Sequence, residues 1–260
     1  MKHLLLVAIF ALFTGLFSQP ATALVDLKNA NFSDAWIDLT LPSSGYDLKV
    51  ERAYNSRTLY NGIFGFGWCS SFETQLEFTP EGNLKLVECG AGQETIYVSK
   101  TYSGRDVDKT VMSIIGRARA EQPGAPQSYF SDLERRLKTE APLRAEYASK
   151  YNIIRPIADK TRFYANGHEA DFIEKNGNNF IHVSTDGSTR KFALNGKMEK
   201  IFDRNGNSLS FAYDGKRLKD VTDSSGRKLA FTYFDNGKVK AINGPNGMHT
   251  EYKYKNLNDL

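Results

Sequence analysis

Asn205-Gly206-Asn207-Ser208-Leu209-Ser210-Phe211-Ala212-Tyr213-Asp214-Gly215, continued by Arg217-Leu218-Lys219-Asp220-Val221-Thr222-Asp223, is the stretch from which the fold can be read. Asn-Gly and Asp-Gly tolerate the positive φ angles of tight hairpin turns. Between the two turns Leu209, Phe211 and Tyr213 alternate with small residues, so they share one face of a strand. After Asp214-Gly215 the apolar residues Leu218 and Val221 stand three apart, as do Met198/Ile201 and Val239/Ile242. On a regular strand that spacing sends the two side chains to opposite faces. Either both faces are partly covered or a bulge intervenes.

Outward from this unit the turn signal recurs about every ten residues, as Asn166-Gly167, Asn176-Gly177, Asp186-Gly187, Asn195-Gly196, Asn205-Gly206, Asp214-Gly215, Ser225-Gly226, Asn236-Gly237 and Asn246-Gly247. Alternate turns place Gly167, Gly187, Gly206, Gly226 and Gly247 at spacings of 20, 19, 20 and 21 residues. Five residues after each stands an aromatic: Phe172, Phe192, Phe211, Phe231 and Tyr252. Tyr213, Tyr233 and Tyr254 stand seven after the last three, where the first two units have Glu174 and Leu194. A single hairpin cannot offset its own ordering entropy, so the units are expected to pair into one continuous sheet. Leu260 falls where a next strand should begin, which predicts an unprotected edge pairing with another β-rich chain or with further repeats.

Residues 35–98 are also β-rich but do not repeat. Ile37, Leu39 and Leu41 alternate, as do Leu48 and Val50. Phe72, Thr74, Leu76 and Phe78 alternate against acids and Gln75, the pattern of a half-buried strand. Gly62-Ile63-Phe64-Gly65-Phe66-Gly67-Trp68 reads as a structural aromatic corner, because no phosphate-loop lysine follows it. Residues 105–158 break the β pattern: Val107, Val111, Ile114, Ile115 and Ala118 have helical spacing. Gln122-Pro123-Gly124 ends that helix, Ser131-Asp132-Leu133-Glu134 has the form of a capping box, and Pro142 can open a third helix. The segment reads either as a recognition element or as an insertion packed on the first sheet.

Arg52-Ala53-Tyr54-Asn55-Ser56-Arg57, the Phe64-Gly65-Phe66-Gly67-Trp68 stretch and Ser71-Phe72-Glu73 resemble the domain that precedes Rhs/YD repeats in large exported bacterial proteins. Asp203-Arg204-Asn205-Gly206-Asn207, Tyr213-Asp214-Gly215, Val221-Thr222-Asp223 and Gly226-Arg227 resemble the YD repeats themselves. The likeness covers residues 35–98 and 161–260. It implies a sheet winding into a spiral or shell, which in large members surrounds a C-terminal toxin and in others serves adhesion. About five repeats are too few to close such a shell. The expected fold is mainly β: a leader at 1–23, a β domain at 24–100, a helical insertion at 101–160 and a hairpin array at 161–260.

A short basic start, the apolar run Leu4–Phe17 and Ala21-Thr22-Ala23 make a secretory leader cleaved after Ala23. Export to the periplasm, cell surface or medium follows, with no membrane-spanning segment in the remainder. Cys69 and Cys89, the only two cysteines, are expected to form a disulfide in an oxidising compartment, against the alternative of two buried thiols. The formal charge of +4 is well mixed along the chain and gives little reason to expect nucleic acid as a partner.

No cofactor fingerprint, nucleophile elbow or metal-spaced histidine pair occurs, and His168 and His249 sit at turn positions. Asp203, Asp214, Asp223 and Asp235 stand at turns, where carboxylates bond local backbone. The expected function is a non-enzymatic scaffold or interaction module. An envelope carbohydrate-binding or adhesive surface is the alternative, because aromatic faces stack on sugars, and an enzyme acting on wall polymer stands behind both. The residues expected to matter are structural: the repeat glycines and aromatics named above, with Arg52, Tyr54, Asn55, Arg57, Gly65, Gly67 and Trp68.

Overall fold

A computed structural model describes residues 24–26, 31–89 and 93–255. The expected leader at 1–23 and the last residues 256–260 lie outside them. Among the described residues a small sheet is built from β1 (Leu24–Asp26), β2 (Asn31–Leu41), β3 (Leu48–Asn55) and β6 (Trp68–Cys69), in the order β1-β2-β3-β6. A two-residue ladder of β4 (Asn61–Gly62) with β5 (Gly65–Phe66) shapes the connecting loop.

Among the described residues the large sheet has thirteen antiparallel strands in strict sequence order. They are β7 (Gln75–Phe78), β8 (Leu84–Glu88), β9 (Gln93–Ser99), β10 (Arg162–Ala165), β11 (His168–Asn176), β12 (Asn179–Val183), β13 (Thr189–Ala193), β14 (Met198–Phe202), β15 (Ser208–Asp214), β16 (Arg217–Asp223), β17 (Lys228–Tyr233), β18 (Val239–Asn243) and β19 (His249–Glu251). The sheet does not break at residue 100: β9 pairs directly with β10 across the helical segment. It curls until its first strand touches its own middle, where the Leu76 N–H donates to the Gly196 carbonyl at 2.8 Å and Gln75 bridges Lys197. One core fills the concave side, with Leu48, Leu84, Phe163, Phe180, Phe192, Val221, Leu229 and Ile242 almost fully buried. Phe72 packs edge-on against both Phe211 and Phe231.

All nine turn glycines from Gly167 to Gly247 have positive φ. The acids beside several turns bond local backbone. Asp203 Oδ1 accepts the N–H groups of Asn205 at 2.8 Å and Asn207 at 2.9 Å. Asp223 Oδ1 accepts those of Ser225 and Arg227, both at 2.9 Å.

The three-residue apolar spacing is resolved as a bulge. Lys191 pairs with Lys200 but Phe192 with Met198, Ala212 pairs with Asp220 but Tyr213 with Leu218, and Thr232 pairs with Ala241 but Tyr233 with Val239. Glu199, Lys219 and Lys240 are the extra residues, so Leu218 and Val221, like Val239 and Ile242, all reach the buried side. Each bulge also has a cost. Pairing to the next unit stops short, at Lys200↔Ser210, Asp220↔Ala230 and Ala241↔Glu251, leaving the carbonyls of Met198, Leu218 and Val239 beyond the ladder.

A tyrosine of the next unit meets each of these carbonyls. Tyr213 donates its hydroxyl to Met198 O at 2.9 Å, Tyr233 to Leu218 O at 2.5 Å and Tyr254 to Val239 O at 3.0 Å. At the first two rungs the residue before the accepting carbonyl adds to the contact. Lys197 lies over the Tyr213 ring at 4.6 Å and donates to Gly215 O at 2.7 Å. Arg217 lies over the Tyr233 ring at 5.7 Å and donates to Asp235 O at 3.1 Å. A unit is therefore completed by its successor.

The helical segment is α1 (Gly104–Glu121), α2 (Gln127–Thr139) and α3 (Ala141–Lys150), with its own small core around Ile114, Leu133 and Leu137. Ser131 does not cap a helix: α2 begins at Gln127, with Pro126 at its N-cap holding the extended backbone that precedes a first turn. The capping box lies at α1, where Asp106 Oδ2 accepts the Ser103 N–H at 2.9 Å. The segment docks on the β7–β8 turn through a buried Arg144–Glu81 pair, Arg155 to Glu81 O at 3.3 Å and Thr110 to Pro80 O at 3.3 Å, and Arg155 also ties back to Asp106 of α1 at 2.6 Å.

Two strand expectations are corrected. Ser71–Glu73 form a 3-10 turn, because Glu73 folds back to accept the Ser70 N–H at 3.1 Å, and the strand starts only at Gln75. Ile37 is 59% exposed, because a register shift between Ile37 and Leu39 turns Asp38 inward in its place.

Candidate functional site

The inward turn of Asp38 creates the junction between the two sheets. Arg52 on β3 binds it with two nitrogens, Nη2 to Oδ1 at 2.8 Å and Nε to Oδ2 at 2.5 Å. From the last repeat Tyr252 donates its hydroxyl to Asp38 Oδ2 at 2.7 Å. The Arg52 guanidinium lies over Trp68 at 4.4 Å and over Tyr252 at 5.2 Å, and Phe64 meets Tyr252 edge-on at 5.3 Å. A cation half-removed from water is thus balanced by one carboxylate and two ring faces. Burial pushes the Tyr252 hydroxyl well above the usual tyrosine range, and its bond to Asp38 adds to the shift.

The Gly62–Trp68 loop is held from behind. Glu73 Oε1 accepts the Tyr60 hydroxyl at 2.8 Å and the Ile63 N–H at 2.7 Å. Burial raises the Glu73 carboxyl above its ordinary range, against those bonds and the nearby Lys238. Lys238 donates to Asn61 Oδ1 and to Gly62 O, the latter at 2.7 Å; burial lowers its pKa, with Glu73 opposing. The Val239 N–H, at the third bulge, donates to Ile63 O at 2.8 Å. Gly67 has φ +78°, and its carbonyl accepts the Asn55 N–H at 2.9 Å, with the Tyr54 ring against its Cα.

Above these supports lies a cleft of about 310 Å³ lined by Arg52, Phe64, Gly65, Phe66, Trp68, Asn236, Lys238, Tyr252, Lys253, Tyr254 and Lys255. Arg52, Gly65, Trp68, Tyr252 and Tyr254, singled out in two distant parts of the sequence, meet here. Tyr54 packs at a tilt against Trp68 at 5.2 Å beside the cleft, and Trp36, tilted against Trp68 at 5.1 Å, is 41% exposed. Asn55 and Arg57 shape the local turn, the Asn55 side chain accepting the Arg57 N–H at 3.0 Å. Gly187, Phe192, Gly206, Phe211, Gly226 and Phe231 stay with the turns and core, and Gly247 with the final turn. A disulfide joins Cys69 to Cys89, tying the small sheet to the end of β8.

Two features had no sequence signal. His182 on β12 is buried, with Nε2 2.8 Å from Asp171 Oδ1 and 3.0 Å from the Tyr97 hydroxyl. Its partners come from β9 and β11, and only the sheet brings them together. A second cleft, of about 740 Å³, lies between Leu76 and Phe78, the turn at Leu194, and Ile153–Ile157 after α3. His168 and His249 are exposed. Among the described residues no group of three or more His, Cys, Asp or Glu is placed to hold a metal ion, and no helix is long and apolar enough to cross a membrane.

Residues 23–97 match a family described as a domain of unknown function (DUF6531). The match runs through the small sheet and into β9, so it ends inside the large sheet, and it covers under a third of the chain. No curated protein matches the chain.

Proposed function

We propose that this chain is an exported, non-catalytic β scaffold of the Rhs/YD-repeat kind, whose repeat sheet ends in an edge that pairs with another β-rich chain. The carrying observation is the tyrosine rung recurring from Tyr213, Tyr233 and Tyr254 to the bulge carbonyls of the preceding units. A device that completes each unit only through its successor suits an extendable scaffold and has no chemical step in it. The first edge of the sheet is already engaged, since β7 bonds the turn at Gly196. Just past β19 the Tyr252 N–H points inward to Lys240 O. By alternation the amides of His249, Glu251 and Lys253 point away from the sheet.

The test replaces Glu251 by proline. Proline removes an outward N–H and is tolerated at an edge, so β18–β19 pairing survives while the acceptor edge is blocked. Sedimentation of the parent chain with a strand-forming partner is expected to give a complex that Glu251→Pro abolishes without changing the melting temperature. Equal complex formation by both would overturn the edge reading. Export is tested by N-terminal sequencing of the secreted chain: Leu24 as first residue supports it, and retention with Met1 intact refutes it.

The junction cleft supports a second reading, a glycan-binding surface. Phe66 is 43% exposed at its mouth, beside the cations Lys253 and Lys255.

A further inference from the structure

We infer that the strand accepted at the β19 edge is an acidic peptide strand, carrying carboxylates at alternate positions opposite Lys253 and Lys255. The inference rests on the edge-pairing reading above and adds the chemistry of the partner.

Within the large sheet, basic side chains repeatedly find their counter-ion on the adjacent strand. Lys85 on β8 meets Glu77 on β7 at 2.7 Å and Glu94 on β9 at 3.1 Å. Arg162 on β10 meets Glu174 on β11 at 2.6 Å. Lys191 on β13 meets Glu199 on β14 at 3.2 Å, and Lys228 on β17 meets Asp220 on β16 at 3.6 Å. Opposite charges across a ladder stabilise pairing and like charges oppose it, so such pairs also fix register.

Other cations of the sheet, such as Lys200, Lys219 and Lys240, have no such counter-ion among the described residues, and Lys253 and Lys255, just past the end of β19 at Glu251, join them. From Glu251 to Lys255 exposure alternates, with Tyr252 buried and Tyr254 half-buried, so Glu251, Lys253 and Lys255 share the outer face. Neither Lys253 nor Lys255 has an ion pair among the described residues. The cleft they border also holds Arg52 and Lys238, and no carboxylate lines it. The two acids behind it are committed, Asp38 to Arg52 and Tyr252 and Glu73 to Tyr60, Ile63 and Ser70. An incoming strand thus meets outward N–H groups and an uncompensated positive field at one end of the edge. Glu251, one step back on the same face, requires an uncharged or basic residue opposite it. Together these specify register as well as sign.

The experiment uses the full chain and three synthetic strand peptides with alternating apolar residues. Their alternate positions carry glutamate, serine or lysine. Fluorescence anisotropy reads affinity at low and high salt, and amide hydrogen exchange reads protection at residues 249–255. The glutamate peptide is expected to bind about tenfold tighter than the lysine peptide, the preference shrinking with salt. Lys253→Glu with Lys255→Glu is expected to invert it, and Glu251→Pro to abolish binding. Lys253→Gln with Lys255→Gln supplies a milder second variant, and circular dichroism checks that each folds. Equal binding by all three peptides, with edge protection, overturns the acidic partner and leaves edge pairing standing. No protection with any peptide overturns both. A single-stranded oligonucleotide or uronic-acid oligosaccharide that binds Glu251→Pro as well as the parent makes the cleft a polyanion site, and that also overturns the inference.

Discussion

Tyr233→Phe removes one oxygen and leaves the ring in place. That hydroxyl donates at 2.5 Å to the Leu218 carbonyl, which lies beyond the β16–β17 pairing that stops at Asp220↔Ala230. A typical hydrogen bond contributes about 0.5–1.5 kcal/mol net, and a buried carbonyl left without a donor costs about 1–3 kcal/mol. Tyr233 is only half-buried, so water reaches part of the site and the expected loss is about 1–2 kcal/mol. For a chain of this length that lowers the melting temperature by about 2–8 °C. Urea unfolding gives the free energy, and amide exchange at 217–222 shows where it is lost. Tyr213→Phe and Tyr254→Phe should behave alike, because their rungs have the same geometry. Pairs of these changes should add within about 0.5 kcal/mol, as for sites with no shared partner. A Tyr233→Phe variant within about 0.3 kcal/mol of the parent would refute the rung as a source of stability.

Burial pushes the hydroxyls of Tyr213 and Tyr254 up to about 12. A folded value above the unfolded one of about 10 means that the stability they hold is complete below about pH 10 and is lost as pH rises toward 12. The urea midpoint should fall over that range, less steeply in Tyr213→Phe, and an identical alkaline limb in both proteins contradicts this. His182 is lowered by burial, with Asp171 opposing. Its stability contribution is therefore complete above about pH 6.5 and is lost as pH falls through the depressed folded value. Melting curves of His182→Gln should show a shallower acid limb than the parent. Gly196 and Gly206 both have φ above +80°, but a Cβ on Gly196 strikes the Leu76 carbonyl where one on Gly206 meets open space. Gly206→Ala should cost about 1–2 kcal/mol from backbone strain alone, and Gly196→Ala distinctly more. Equal losses would show that the curl at β7 adds nothing.

The turns and core aromatics were legible because they rest on local rules, positive φ at glycine and alternation on a strand. The bulges were visible only as an ambiguity: apolar residues three apart fit two covered faces as well as one bent strand, and only register shifts such as that at Ala212/Tyr213 distinguish them. Tyr213, Tyr233 and Tyr254 stood out by spacing, but their partners are backbone carbonyls, which carry no side-chain signal. Asp38 was hidden because alternation assigned it to solvent, and the shift at Ile37/Leu39 reversed that. Ser131-Asp132-Leu133-Glu134 had a cap's composition inside a helix already begun after Pro126. His182 needed Tyr97, 85 residues away, and Asp171 on a neighbouring strand. Such long-range polar clusters follow from sheet order, which hairpin repeats fix only once every strand is placed.

Amide hydrogen exchange of the purified chain, read residue by residue along β18, β19 and the residues that follow, tests the scaffold account most directly. The account predicts fast exchange at His249, Glu251 and Lys253 in the free chain, protection at Ile242 and Tyr252, and slowing of the outward set when a strand-forming partner is added. Slow exchange at all of these positions in a monodisperse monomer, unchanged by any partner strand, would contradict it.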